Sequence, residues 1–412
     1  MSDNPVANPM KILFICNKSP WPPKEGGPIA MNNIIEGMIN RGHQVKVLAA
    51  NTNKYAVNID DVPEEYKQKT GIEFASLDLS IKPVAAFFNL FTHKSYHVQR
   101  FVSKAFNKKL KEILQHNTFD IVQIEMLYMA PYLDTIRKYS KAKVVLRAHN
   151  IEHLIWKRVA IEEQNITKKR YLRHLANTLE NYEKNVLDKF DGIVPITKKD
   201  ALFFSEQTHK PVEPVSFGVN FSRIPYHESN KPEQALFHIG SMNWVPNAEG
   251  IKWFLKDVWP EVSKHFPALK LYLAGREMPQ WLLESDLTNV EVVGEVTDAY
   301  RFMESKSISI APLFSGSGVR IKIIESMAMG KAVISTSIGA EGINYTNGEN
   351  ILIADTKKEF VKAVKKLYTK KDLAYTMGQK ARELVMKEHN IQETSLHLEN
   401  FYKLLLSTVD EK

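Results

Sequence analysis

The sequence predicts an α/β protein of two doubly wound domains, and three observations carry that prediction. Short apolar runs alternate with longer amphipathic stretches along most of the 412 residues, as parallel strands joined by crossover helices do. The alternation fails between residues 205 and about 233, where periodicity is lost and four prolines collect, as in a linker. It then starts afresh, so domains are expected at 1–205 and 234–391, joined by 206–233, with a cleft between them.

The first series opens with the apolar strand KILFIC, Lys11 to Cys16. The segment NKSPWPPKEGGP follows, then a helix from Ile29 to Arg41 closed by Gly42, and a strand from His43 to Ala49. A dinucleotide fingerprint needs its glycines directly after the strand, whereas Gly26 lies ten residues past Cys16, so a nicotinamide or flavin site is not expected here. Gly26-Gly27 at a helix start fits a close backbone approach by substrate or a plain turn. Residues 81–114 interleave Phe87, Phe88, Phe91, Phe101 and Phe106 with lysines and Arg100. Such a stretch is either a core-facing helix with a solvated side or a contact with an anionic membrane.

Phe119 to Glu125 and Lys143 to Arg147 read as further strands, the second running into Ala148-His149-Asn150-Ile151-Glu152. That cluster falls where open α/β sheets bind ligands, so His149 is a candidate site residue beside its plainer structural reading. A long charged helix is expected from about Ile155 to Asp188, then a strand from Gly192 to Ile196. After the linker, strands are expected at Ala235 to Ile239, Leu269 to Ala274, Val290 to Val293 and Ile351 to Ile353. The loop Gly240 to Gly250 and the pair Gly275-Arg276 follow the first two of these.

The most informative stretch is ISIAPLFSGSGVRIKIIESMAMGKAVIST, Ile308 to Thr336. It reads as strand, glycine-bearing loop, helix from Val319 to Met329 capped by Gly330, and strand. A helix start in such a unit favours anions. Lys322 and Glu325 are three residues apart on an otherwise apolar helix. They form either a buried salt bridge or a phosphate cation with a carboxylate for sugar hydroxyls. Arg320, expected in the first turn, would add a bidentate phosphate donor.

Bulk composition narrows the classes. An apolar share of 44% is that of a globular chain, no run approaches the roughly 18 apolar residues of a membrane span, and the N-terminus lacks secretory features. One cysteine, Cys16, suits a reducing compartment, so a cytoplasmic place is expected, with peripheral membrane contact through 81–114 as an option. A net charge of +8 suits an acidic partner. No compact basic and aromatic platform for nucleic acid is present, so none is expected as partner.

In chain order, Gly26-Gly27, the His149 segment, FGVN at Phe217 to Asn220, and above all IESMAMGKAVIST resemble glycosyltransferase family 4. The resemblance implies the GT-B fold, two facing Rossmann-like domains, with the helix at 392–412 returning to the first domain. It implies retaining transfer of a hexose-type sugar from a nucleoside diphosphate sugar to a glycan, lipid-linked or other hydroxyl acceptor, in a setting of cell-surface polysaccharide synthesis. No metal or cofactor is expected, and no Asp-x-Asp occurs. His149, Arg320, Lys322 and Glu325 would carry the chemistry, the last on ribose hydroxyls. The donor would lie against Gly26, Gly27, Gly240, Ser241, Gly275, Ser317, Gly318, Arg320, Lys322 and Glu325. Two departures stand out. Ser317 occupies the place of the first of two glutamates usual in the family, and the loop GSMNWVPNAEG lacks the usual arginine and lysine. Arg320 and Lys322 look like their replacements. A nucleotide-sugar epimerase of the same fold, which needs no acceptor, or a non-catalytic membrane-surface scaffold are the competing readings.

Overall fold

The computed structural model describes residues 8–53, 55–80, 82, 88–92, 94–226, 232–316 and 318–408. They form two compact units: the chain up to Gly218 together with the residues from Gln392 onward, and Val219–Ile391.

The first unit holds β1 (Lys11–Cys16), β2 (Gln44–Thr52), β3 (Glu73–Leu77), β4 (Ile121–Glu125), β5 (Lys143–Ala148) and β6 (Gly192–Pro195), in the order β3-β2-β1-β4-β5-β6. The second holds β7 (Glu233–Ile239), β8 (Leu271–Ala274), β9 (Val290–Gly294), β10 (Lys306–Ala311), β11 (Ala332–Ser335) and β12 (Leu352–Ile353), in the order β12-β11-β10-β7-β8-β9. Every pairing in both sheets is parallel. These are the two doubly wound layers that the alternating pattern predicts.

The reason is burial on both faces. In β1, Leu13 and Ile15 enter one core while Ile12, Phe14 and Cys16 enter the other, so the strand is apolar at every position from Ile12 onward. Each sheet reverses its order once, between β1 and β4 and between β7 and β10. Ligands of open α/β sheets bind beyond the carboxyl ends of the strands at such points.

Several elements differ from expectation. β3 (EFASL) is an edge strand whose Glu73 is exposed enough to pair with Lys46 and Lys109, at 2.7 and 2.8 Å. The long charged helix is two helices, Glu152–Glu162 and Ile166–Val186, because Asn165 accepts from the Lys168 N–H at 3.0 Å and restarts the chain as an N-cap. The helix after the 240–250 loop begins early, at Val245, with Pro246 in its first turn.

The stretch 81–114 does not offer its phenylalanines as one surface. Phe106 lies in the core beneath the helix Lys104–His116, and Phe101 stacks on Tyr128 at 5.0 Å. Phe88 and Phe91 are exposed, and Phe87 lies outside the described residues. Among the described residues no helix is long and apolar enough to cross a membrane.

The last helix, Ile391–Ser407, inserts Leu398, Phe401, Tyr402 and Leu405 into the core of the first unit. Its buried Glu399 accepts from Arg41 and, at 2.5 Å, from Lys403, with His43 at 3.5 Å.

Candidate functional site

In the second unit, the loops after β7 and β10 meet at the point where strand order reverses. The helix Ile321–Ala328 starts two residues later than expected, and Arg320 is its N-cap in extended conformation and not part of its first turn. Arg320 is buried, its guanidinium donates to the Gly318 carbonyl at 2.5 Å, and it lies 5.3 Å from the ring centre of Trp244. Lys322 is 5.7 Å from the same ring. Its amine donates to the Asn247 side-chain oxygen and stands 3.5 Å from His238 Nε2. His238 Nδ1 is 2.9 Å from the Ile310 carbonyl, so that nitrogen carries the hydrogen and Nε2 is left to accept from the lysine.

Lys322 and Glu325 do not pair. Glu325 turns the other way and accepts from the Tyr300 hydroxyl at 2.9 Å. Among the described residues the lysine is surrounded by an amide, a neutral imidazole, an indole and a second basic side chain, with no carboxylate in contact. Both side chains retain some accessible surface. Burial, and then the charge of Arg320, holds the Lys322 amine well below the usual lysine range. Burial pushes the Glu325 carboxyl up to about 7, the Tyr300 hydrogen bond opposing the shift. Two basic side chains gathered beside a helix N-terminus make an arrangement suited to an incoming phosphate.

The glycines of the site act through close approach. Gly275 has φ +145° and a Cβ there would lie 1.8 Å from the Gly240 carbonyl oxygen, so the ends of β7 and β8 pack backbone to backbone. Ser241 accepts from the Asn247 amide at 2.7 Å through its carbonyl, and its hydroxyl donates to Asn243 at 2.9 Å. It therefore orients the amide that holds Lys322. Gly318, at φ +80°, turns its carbonyl toward Arg320. Ser317 lies outside the described residues.

In the first unit, His149 follows β5 and its Nε2 is 2.6 Å from a carboxylate oxygen of Glu125, the last residue of β4. The other Glu125 oxygen accepts from Gln123 at 2.5 Å, and Gln123 in turn accepts from the Tyr402 hydroxyl. Glu152 is not part of this group. It is buried against Tyr128, whose hydroxyl donates to it at 2.8 Å, and burial pushes its carboxyl up to about 7. Gly26 and Gly27 open the helix Gly26–Asn40, and a Cβ at Gly27 would come within 3.1 Å of the Lys18 side chain.

The structure thus assembles Arg320, Lys322, Gly240, Ser241, Gly275 and Gly318 at one strand-order reversal, with Glu325 a helical turn farther on. His149, Gly26 and Gly27 belong to the first unit and are described within it. Sequence reasoning missed Trp244, Asn247, His238, Tyr300 and Glu125. The first two lie inside GSMNWVPNAEG, a loop whose missing cations drew attention away from its indole and amide.

Residues 233–370 match the family model described as glycosyl transferases group 1. A curated relative, an uncharacterized 44.6 kDa protein in the cps region of Klebsiella pneumoniae, is 25% identical over 366 residues, covering 86% of this chain and 90% of that one. Among solved structures, sucrose-phosphate synthase from Thermosynechococcus elongatus aligns with a TM-score of 0.70 at 16% identity, over 97% of this chain and 100% of that one. S. aureus TarM, solved with UDP among its ligands, aligns with a TM-score of 0.65 at 12% identity, over 95% and 99%. Anabaena HepE in complex with UDP and glucose gives 0.61 at 12% identity, over 97% and 100%.

Proposed function

We propose that this chain, a protein of GT-B fold whose residues 233–370 carry a group 1 glycosyltransferase domain, transfers a hexose-type sugar from a nucleoside diphosphate donor to a hydroxyl acceptor. The observation that carries the reading is the pair of basic side chains Arg320 and Lys322, gathered at the reversal between β7 and β10 with no carboxylate against the lysine among the described residues. Negative charge develops on the leaving diphosphate during such a transfer, and fixed cations in a poorly hydrated site stabilise it without reorganising. Glu325, held by Tyr300, takes the ribose hydroxyls, and His149, oriented by Glu125, faces the sugar or the acceptor. Retention of configuration, independence of metal and a role in cell-surface polysaccharide synthesis belong to the same proposal. UDP in the TarM and HepE structures and the cps-region relative support it.

The test is a screen of nucleotide sugars for thermal stabilisation, followed by an assay of sugar transfer in EDTA. The true donor at about 100 times its Kd stabilises the fold by about 2.7 kcal/mol, and transfer to an acceptor persists without metal. Release of free nucleotide with no acceptor present, by a reaction that leaves the sugar epimerised, would replace transferase with epimerase.

A further inference from the structure

We propose that Trp244 is a positioning residue of the phosphate site: its indole holds Arg320 and Lys322 in the geometry that receives a diphosphate. The inference rests on the reading of these two cations as diphosphate ligands. Three observations support it. Both cations lie over this one ring, at 5.3 and 5.7 Å, within the range where the negative face of an indole attracts a charged group. The loop carrying Arg320 fits against the same indole, since a Cβ at Gly316 would sit 3.0 Å from Trp244, so nothing larger than glycine is accommodated there without a shift. The loop that carries Trp244 also supplies Asn247, whose side-chain oxygen accepts from Lys322.

A carboxylate in the place of the indole would hold the cations equally well but would neutralise them and repel the incoming phosphate. An aromatic face attracts a cation while adding no net charge. The arrangement therefore places no negative charge of its own beside the incoming phosphate and removes the freedom of two long side chains before binding, which is the cost that preorganisation avoids. Trp244 keeps 37% of its surface accessible, so the indole is not sealed in the core and stays open to solvent.

The test measures calorimetric binding of inorganic pyrophosphate and thermal melting on the full chain, for the wild type, Trp244→Leu, Trp244→Phe, Arg320→Met and Lys322→Met. Trp244→Leu should weaken pyrophosphate binding about tenfold, as loss of a desolvated cation–π contact would, with melting unchanged. Trp244→Phe, which keeps an aromatic face, should stay within about threefold of wild type. Wild-type affinity in Trp244→Leu, with binding weakened about tenfold or more in Arg320→Met and Lys322→Met, overturns the role of the indole and leaves the cation site standing. Equal losses in the leucine and phenylalanine variants, each accompanied by lowered melting, make Trp244 a packing residue and overturn it as well. Unchanged binding in both cation variants removes the phosphate site itself and the proposal with it.

Discussion

Replacing Lys322 with methionine should weaken donor binding by roughly 10- to 100-fold and leave the melting temperature at pH 6 unchanged or higher. Had Lys322 and Glu325 been a buried pair, loss of either partner would strand a charge and cost about 3–5 kcal/mol. They are not paired, and the amine is held below its ordinary range by burial and by Arg320. The sign follows from proton counting. Between its folded pKa and the ordinary lysine value near 10.4 the folded chain binds fewer protons than the unfolded one, so stability rises with pH across that window and is lowest below it. Methionine removes this penalty, and the gain should shrink as pH is raised. The loss is functional, because each charged hydrogen bond to a phosphate is worth about 1.5–3 kcal/mol, or roughly 10- to 100-fold in affinity per cation. Arg320→Met should match it in binding. Melting curves at two pH values and donor titrations on the same preparations decide the matter.

Glu325→Gln should be more stable than the wild type at pH 8, by up to about 3 kcal/mol, and equal to it near pH 4.5. Here the folded pKa lies near 7 and the unfolded one near 4.5, so the folded chain holds a proton that the unfolded chain has released. Stability from this group is complete below the unfolded value and is lost as pH rises through 7. Glutamine is neutral throughout and still accepts from Tyr300. Nucleoside binding should fall in the same variant, since a carboxylate accepts more strongly from hydroxyls than an amide does. A variant less stable than wild type at pH 8 would return Glu325 to a structural role. Residues that reduce stability while they serve binding are expected at functional sites.

The two sheets were legible because strands buried on both faces need largely apolar runs, and KILFIC and ISIA are such runs. β3 was not, since an edge strand with one polar side reads like a loop in EFASL. The cation site was half legible. Helical spacing places Lys322 and Glu325 on neighbouring positions, but it cannot say that one will turn to Asn247 and His238 and the other to Tyr300. Those partners sit 75, 84 and 25 residues away in the chain, brought in by strand order alone. The same holds for Glu125 and His149, 24 residues apart and joined because β4 and β5 are neighbours.

The terminal helix gives the molecule a birth order that differs from its sequence order. Residues 219–391 make a complete unit from one continuous segment, whereas the first unit draws Leu398, Phe401, Tyr402 and Leu405 from the far end of the chain. Domains generally fold as units while the ribosome is still adding residues. The first unit therefore waits, with the face that Phe401 will cover at Gly192 open, until the residues of the helix Ile391–Ser407 emerge. Nascent chains arrested at residue 391 should be cleaved by protease within residues 1–218 and spared beyond them, and equal resistance of both segments would show that the first unit closes without its final helix.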